Sequence, residues 1–292
     1  MTESVPPKKL AIYYGWPIAV NGKWSVSEAV DVFNDYDIVI FGEGLEDPSH
    51  PQYLSTNDII SQTNAKIYGY VDATLNSTNF ESKVNNWCDM GGTGATGNEI
   101  EGIFCDQFGF DYGLTRQKQN DEIDYIHSKS KKAFVNAWNP DDVFKTQTGT
   151  TGATGTSMTL DDWYLAESYQ IINGNYRNVS DWKAKADKMK DYKINGPGYS
   201  KMATCTSYDG SNFDQEKWDY AYYSTALYGF DASGWGEQNF SAPTAQMPFR
   251  TRKKILGSKL VGNINEASGV FKINTNIGIK VDTNNKKVYL NL

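Results

Sequence analysis

Short apolar segments recur along this chain with a spacing that restricts the folds open to it. Eight of them have the length and composition of buried β-strands, and successive segments begin roughly 25–40 residues apart. Most are continuously apolar rather than alternating, which is typical of strands buried on both faces of a parallel sheet. The segments span residues 10–14, 38–41, 66–71, 102–105, 133–137, 163–166, 202–206 and 226–230.

The stretches between these segments carry signals of α-helices. Ser25 with Glu28, and Thr78 with Glu81, have the spacing of a capping box ahead of an amphipathic helix. One strand followed by one returning helix accounts for the repeat length. We therefore predict an α/β fold, a (β/α)8 TIM barrel. The alternative is an open doubly wound sheet, which is less favoured because no G-x-G-x-x-G turn follows the first strand.

The chain changes character after residue 240. Prolines and the basic run 250–254 indicate a linker, and from residue 271 apolar and polar residues alternate between polar turns. We predict a barrel over residues 1–240, followed by a linker and a small β-rich C-terminal appendage over residues 241–292. So small a sheet cannot bury its own apolar face, so we expect it to pack on the barrel or on another chain.

Composition and charge argue against several partners and chemistries. The formal net charge of −7 disfavours nucleic acid or an anionic membrane as a partner. The N-terminal residues are polar, so we predict no signal peptide and no membrane insertion. His50 and His127 are the two histidines, and neither has a Cys or His nearby at metal spacing. We therefore predict no metal site, no Ser-His-Asp triad and no cofactor, and a structural role for His127.

A barrel of this kind carries its functional residues at the carboxyl ends of its strands. Two carboxylates stand out, because Asp106 ends the fourth apolar segment and Glu167 ends the sixth. Two acids facing each other across one mouth are what glycoside hydrolysis requires, so we predict that Asp106 and Glu167 are catalytic. Further polar and aromatic residues near these strand ends are predicted to bind a polysaccharide substrate: Tyr14, Trp16, Asp72, Asn136, Trp138, Tyr208, Asp209, Trp235 and Glu237.

Five segments, taken in order, resemble a known family. They are residues 11–16, 36–41, 67–70, 102–106 (Gly-Ile-Phe-Cys-Asp) and 163–167 (Trp-Tyr-Leu-Ala-Glu). Over about residues 9–240 the chain resembles the glycoside-hydrolase-like barrels of the spherulin-4 and endo-α-1,4-polygalactosaminidase type. The resemblance implies a (β/α)8 fold and hydrolysis of an α-linked polysaccharide that contains amino sugars. It also implies a retaining mechanism in which Asp106 is the nucleophile and Glu167 the acid/base.

The C-terminal segment, with its Asn-Thr-Asn and Thr-Asn-Asn turns, resembles the modular ends of phage tail or fibre proteins. From this we expect homo-oligomer or virion assembly through that segment, and action outside the cell. The preferred hypothesis is a glycoside hydrolase of a surface or matrix polysaccharide, such as a tail-associated depolymerase. The alternative is a carbohydrate-binding or structural virion component without activity. A metal-dependent hydrolase using Asp72, Asp106 and Asp209 is less favoured, because such sites usually include His.

Overall fold

The computed structural model of the chain describes residues 7–92, 97–149, 152–195, 201–208, 214–237, 240, 264–273 and 278–291. The strands in these ranges are β1 (Lys8–Tyr13), β2 (Ile38–Phe41), β3 (Lys66–Asp72), β4 (Gly102–Asp106), β5 (Lys132–Asn136), β6 (Gln147–Gly149), β7 (Gly152–Thr154), β8 (Trp163–Ala166), β9 (Ile171–Ile172), β10 (Asn175–Tyr176), β11 (Lys201–Tyr208), β12 (Ala232–Glu237), β13 (Ile264–Ala267), β14 (Val270–Ile273), β15 (Gly278–Asp282) and β16 (Lys287–Asn291).

Eight of these strands close into a parallel barrel. Their order is β1-β2-β3-β4-β5-β8-β11-β12, and β12 pairs with β1 to complete the ring. The predicted (β/α)8 fold is therefore confirmed, with β8 as the sixth barrel strand. Two short antiparallel hairpins, β6 with β7 and β9 with β10, lie in the connections on either side of β8.

Helices return the chain between the barrel strands. They are α1 (Val26–Asn34), α2 (Tyr53–Gln62), α3 (Ser77–Cys88), α4 (Arg116–Ser128), α5 (Pro140–Phe144), α6 (Val179–Asn195) and α7 (Gln215–Tyr228), with 3-10 helices at Pro17–Gly22 and Phe110–Tyr112. Within the described ranges, none of them combines the length and the apolar character that crossing a membrane requires.

The two predicted capping boxes are not formed. Ser25 occupies the N-cap position of α1, but its side chain makes no capping hydrogen bond. The cap of α3 is Asn76, whose side chain accepts a hydrogen bond of 3.0 Å from the Asn79 amide, ahead of the box predicted at Thr78 and Glu81. Any of several short polar residues can cap a helix, so the pattern located these helix starts only approximately.

The eighth strand lies beyond the predicted one. Residues 226–230 were predicted as a strand, but they form the end of α7 and the turn after it, and β12 follows. Every residue from Tyr220 to Tyr228 is buried, and apart from Ser224 and Thr225 the run is apolar or aromatic, as in a buried strand. The real strand contains Gly234 and Gly236, which weaken a strand pattern. Gly236 is required by packing, because a Cβ there would lie 1.8 Å from the Phe240 ring.

Side chains along the barrel strands alternate between two apolar clusters, as the two-residue period of a β-strand requires. One cluster packs against the helices and includes Ala11, Tyr13, Val39 and Phe41. The other fills the barrel interior with Leu10, Ile12, Ile38, Ile40, Tyr68, Phe104, Phe134, Trp163, Leu165, Ala203, Cys205, Ala232 and Phe240. Continuing the interior alternation to the strand ends brings five polar residues to the barrel mouth: Tyr14, Tyr70, Asp106, Asn136 and Glu167.

The four C-terminal strands form an antiparallel meander in the order β13-β14-β15-β16. Its apolar side chains Phe271, Ile279 and Val281 are buried in the same cluster as the barrel helices, and the Phe271 ring lies 5.7 Å from that of Trp182 on α6. Strands β15 and β16 also contact α7. Of the two packings expected for this sheet, the structure shows the one on the barrel. Residues 241–263, which include most of the predicted linker, lie outside the described residues.

His127 lies on the amino side of the barrel, away from the mouth. Its Nε2 is 3.0 Å from Oδ1 of Asp162, the residue just before β8, and Asp162 also accepts a 2.8 Å hydrogen bond from the Ala133 amide in β5. The hydrogen bond to Asp162 raises the pKa of His127. The pair joins α4 to the beginnings of two barrel strands, which is a structural role.

Candidate active site

Asp106 and Glu167 meet at the barrel mouth through one amide group. The Asn136 side chain donates from Nδ2 to Asp106 Oδ1 at 2.8 Å and to Glu167 Oε2 at 3.0 Å. The two carboxylate oxygens therefore lie at most 5.8 Å apart, the sum of these bonds. With roughly 120° between the two N–H directions, the separation is about 5 Å. The predicted pair and the predicted ligand Asn136 thus form a single hydrogen-bonded group.

Asp106 is held by donors on both of its oxygens. Besides Asn136, the Gln107 amide donates to Oδ1 at 2.9 Å and the Tyr70 hydroxyl donates to Oδ2 at 3.0 Å. Gln107 has a left-handed backbone with φ of 57°, a conformation that is uncommon for non-glycine residues. These hydrogen bonds fix the orientation of the Asp106 carboxylate at the end of β4.

Glu167 is in a different environment. Burial, followed by the negative charge of Asp106, raises the pKa of Glu167, while Asn136 and the ammonium of Lys185 oppose the rise. Ser168, the next residue, also has a left-handed backbone, with φ of 49°. Both carboxylates are therefore followed by a residue in a sparsely populated conformation. The environments differ between the two acids: Asp106 accepts hydrogen bonds from several donors, whereas burial raises the pKa of Glu167.

Two tyrosines close the floor of the mouth. The Tyr14 and Tyr70 rings meet edge to face at 5.5 Å, and Tyr14 also lies 5.9 Å from Phe240 of the barrel interior. Burial, together with Asp106, raises the pKa of both phenols, so they stay protonated and able to donate. The carbonyl of Tyr70 accepts a 3.0 Å hydrogen bond from the Trp87 indole, which fixes the end of β3 to α3.

Exposed aromatic rings stand on the loops that follow the barrel strands. Trp16 and Trp24 follow β1 and meet at 6.3 Å, Tyr112 follows β4, and Trp138 follows β5. All four keep between 43% and 58% of their surface exposed, which is unusual for such large rings. Flat exposed rings at a polar mouth can stack against sugar rings.

The remaining predicted site residues fall into three groups. Asp72 ends β3, and its carboxylate accepts hydrogen bonds from the amide and the hydroxyl of Thr74, both at 2.7 Å, and from Gln107 Nε2 at 3.4 Å. Trp235 stands apart from the mouth, because it packs against the outer cluster between strands and helices. For the last group the side chains, or the whole residue, lie outside the described part of the structure: Tyr208, Glu237 and Asp209.

Several residues at the mouth were missed from the sequence. Tyr70 could have been found, since it lies two positions before Asp72 on the same face of a strand. Lys185 could also have been found, because it interrupts the buried helical face formed by Trp182, Ala186 and Met189. Other residues gave no sequence signal, because they come to the mouth through loops: Gln107, Trp24 and Arg177.

The part of the chain that the structure describes contains no group of three His, Cys, Asp or Glu side chains able to hold a metal ion. Of the residues in the metal-hydrolase hypothesis, Asp72 and Asp106 end neighbouring strands and are paired in register, whereas Asp209 is outside the described ranges.

No family model matches the chain, and no curated protein matches its sequence. Among solved structures, it is similar to the endoglucanase Cel5A of Pseudomonas stutzeri, with 9% identity, a TM-score of 0.47, and coverage of 80% of this chain and 88% of that one. It is also similar to 3-dehydroquinate dehydratase from Geobacillus kaustophilus HTA426, with 11% identity, a TM-score of 0.44, and coverage of 82% of this chain and 86% of that one. Endo-β-N-acetylglucosaminidase from Cordyceps militaris is similar with 12% identity, a TM-score of 0.39, and coverage of 82% of each chain. Likenesses of this degree assign no activity, and the fold rests on the closed parallel sheet itself.

Proposed function

We propose that the protein is a glycoside hydrolase with Asp106 and Glu167 as its catalytic carboxylates. The observation that carries the proposal is the Asn136 amide, which bonds to both acids and holds their nearest oxygens at most 5.8 Å apart at the carboxyl end of the barrel. A separation of about 5 Å fits a retaining enzyme, since inverting enzymes need roughly 6.5–9.5 Å to admit a water molecule. The exposed aromatic rings around the mouth supply stacking surfaces for a polysaccharide.

The two environments indicate which acid has which role. Glu167, whose pKa is raised, donates its proton to the leaving oxygen while the Asp106 carboxylate attacks the anomeric carbon. The glycosyl ester removes the charge of Asp106, and with it one of the causes that raise the pKa of Glu167. Glu167 can then take a proton from the water that attacks the anomeric carbon and releases Asp106.

The first experiment asks whether the protein cleaves sugars at this mouth. Wild-type protein is incubated with a panel of bacterial surface and matrix polysaccharides, with polygalactosamine included, and new reducing ends are measured. Asp106→Asn and Glu167→Gln are expected to lose turnover while still binding the polymer. Glu101→Gln is the matched control, because Glu101 directly precedes β4 at the opposite end from Asp106 and pairs with Lys66 and Lys132. Wild-type turnover in either mouth variant would remove that residue from the mechanism.

The second experiment separates nucleophile from acid/base. With an aryl glycoside that has a good leaving group, Asp106→Gly in azide should give a glycosyl azide of inverted configuration, and Glu167→Ala one of retained configuration. The anomer first formed by wild-type protein, followed by proton NMR, should match the substrate. An inverted first product would exclude the retaining mechanism.

A second candidate function is carbohydrate binding without hydrolysis. It is favoured by the exposed aromatic group Trp16, Trp24, Tyr112 and Trp138, which would serve a binding protein equally well. Retention on a polysaccharide without new reducing ends, by wild-type protein and with every polymer tested, would support this function over hydrolysis.

A role in a phage tail, and assembly through the C-terminal sheet, are proposals supported by the sequence resemblance. The sheet already buries Phe271, Ile279 and Val281 against the barrel helices, so it does not need a second chain to cover that face. Its other surface includes Tyr289, which is 42% exposed. Light scattering on the full chain measures the oligomeric state, and a monomer at high concentration would count against assembly by the protein alone.

A further inference from the structure

An open pocket of about 420 Å³ lies next to the carboxylate pair, between the segment that follows β5 and helix α6. Trp138 and Asn139, which line it, come directly after the strand that ends at Asn136. Lys185, on the α6 side, is close enough to Glu167 to affect its pKa. The volume is in the range of sites for small ligands. The pocket therefore lies beside the mouth, and Lys185 is the lining residue that acts on Glu167.

The pocket is lined by more positive than negative charge. Arg177, Lys185 and Lys188 face one acid, Asp181. Lys188 already forms an ion pair with Asp141 at 2.5 Å. Lys188 therefore contributes little free charge, and Arg177 and Lys185 are the cations to be explained.

Arg177 and Lys185 converge on the ring of Trp138. The Lys185 ammonium lies 4.0 Å from the ring centroid and the Arg177 guanidinium lies 4.8 Å from it. Arg177 donates to the Ser168 carbonyl at 3.0 Å and lies near enough to Asp181 for that charge to act on it, but among the described residues neither cation forms an ion pair within 4.0 Å. Lys185 is 7% exposed, and its buried Nζ has no hydrogen-bond partner among the described residues.

This arrangement is costly without a ligand. A buried ammonium with no hydrogen bond loses its hydration, for which the contact with the Trp138 ring compensates only in part, and a second cation beside it adds repulsion. Burial, followed by the charge of Arg177, lowers the pKa of Lys185 to about 8, against the opposing effect of Glu167, and burial also outweighs Asp181 in lowering the pKa of Arg177. The side chain is thus still largely protonated at neutral pH. An anion in the pocket would compensate both cations at once.

We propose that this pocket binds an anionic substituent, a carboxylate, sulfate or phosphate, on a sugar ring next to the bond that Asp106 and Glu167 cleave. Arg177 and Lys185 bind the anion and Trp138 contacts the ring. The proposal rests on the proposed function and names its substrate class as an acidic polysaccharide. It differs from the amino-sugar polymer that the family resemblance implies, because an ammonium group in this pocket would be repelled.

The test measures binding to the Asp106→Asn variant, so that no substrate is consumed. Oligomers of glucuronate and galacturonate are each compared, by calorimetry at physiological ionic strength, with the same oligomer after reduction of its carboxyl groups. Sulfated and phosphorylated oligosaccharides form two further arms that identify the anion, and a galactosamine oligomer represents the basic alternative. Arg177→Gln and Lys185→Met are each added to this background. Lys183→Gln is the matched control, since Lys183 is on the same helix but pairs with Asp187 and Glu266.

We expect at least one acidic oligomer to bind about tenfold or more tightly than its neutral counterpart. Arg177→Gln should remove most of that preference, and Lys183→Gln should leave it intact. At pH 8 the measured binding enthalpy should also depend on the ionisation enthalpy of the buffer, because an anion beside Lys185 promotes protonation of Lys185 and the buffer supplies that proton. If Lys185→Met is poorly folded, Arg177→Gln decides the result alone. The proposal is overturned if no acidic oligomer binds more tightly than its neutral counterpart, or if Arg177→Gln retains the preference.

Failure of this inference can be distinguished from failure of the proposed function. Charge-dependent binding that requires Arg177, without new reducing ends from wild-type protein, would support the anion-binding pocket and refute the hydrolase function. Release of neutral or basic sugars by wild-type protein, at the same rate in Arg177→Gln, would support the hydrolase function and refute the acidic substrate class.

Discussion

Replacing Asn136 by alanine tests the central feature of the candidate site, since one nitrogen holds both carboxylates. The change removes the hydrogen bonds of 2.8 and 3.0 Å to Asp106 and Glu167. A hydrogen bond to a charged group contributes about 1.5–3 kcal/mol. In the state in which both acids are ionised, two carboxylates about 5 Å apart repel each other by about 1–3 kcal/mol for effective dielectric constants of about 80 to 20. The amide is therefore comparable in energy to the repulsion that it offsets.

Asn136→Ala is expected to act on both rate and pH profile. If one of the two bonds is needed in the transition state, kcat/KM falls about 10- to 150-fold, which corresponds to about 1.5–3 kcal/mol. Because Asn136 opposes the rise in the pKa of Glu167, its loss should raise that pKa further and move the alkaline limb of activity to higher pH. Both effects follow from the same lost donor.

The assay is kcat/KM across pH on the polysaccharide identified in the panel, with carboxyl carbon NMR titration of Glu167 as a readout independent of turnover. Asn85→Ala is the control, because this half-buried amide accepts a hydrogen bond from Tyr125 on the outside of the barrel. Urea unfolding verifies that each variant is folded. Wild-type kcat/KM together with an unshifted Glu167 titration in Asn136→Ala would refute the assigned role of the bridge.

Two further predictions concern stability. The hydrogen bond to Asp162 raises the pKa of His127 above 6.5, so the stability contributed by the pair should be fully present below the ordinary pKa of histidine and should be lost as pH rises through the raised value. The difference in unfolding free energy between wild-type protein and His127→Gln should therefore be larger at pH 6 than at pH 9, by on the order of 1 kcal/mol. A difference that does not depend on pH would contradict this. Gly69→Ala should lower the free energy of unfolding, measured in urea, by about 1–3 kcal/mol, because the new Cβ would lie 2.1 Å from the Trp87 ring. Gly155→Ala is the control and should be near neutral, because a Cβ there meets nothing within 4 Å. Equal urea unfolding midpoints for the two variants would refute the packing argument.

The extent to which the sequence predicted this molecule varied with local burial. Strands β2 and β8 were predicted to the residue, because each is a short apolar run that begins after an aspartate and ends before Gly42 or Glu167. Helix α7 was partly predicted as a strand, because it is enclosed by the barrel on one side and the C-terminal sheet on the other. Enclosure removes the polar face whose period identifies a helix. The pattern could not show this, since the covering strands lie 40 or more residues further along the chain.

The candidate site was also predicted only in part. Asp106, Asn136 and Glu167 could be predicted because they end strands, and a barrel brings strand ends together whatever the loops do. The cationic pocket could not, because it joins Trp138 of one loop to Arg177 and Lys185 of another segment, and their meeting depends on how α6 packs. The sequence therefore predicted the acids of the mouth, and the opposite charge beside them became visible only in the fold.

The position of α7 between the barrel and the C-terminal sheet has a consequence for how the chain is made. A ribosome completes all eight barrel strands before it reaches β13 to β16, and until then the outer face of α7, with Tyr220 among its residues, has no cover. During that interval the nascent chain presents an apolar helix face to any neighbour, including another nascent copy. Slow synthesis of the last strands should therefore increase aggregation, even though they contribute no described residue to the mouth.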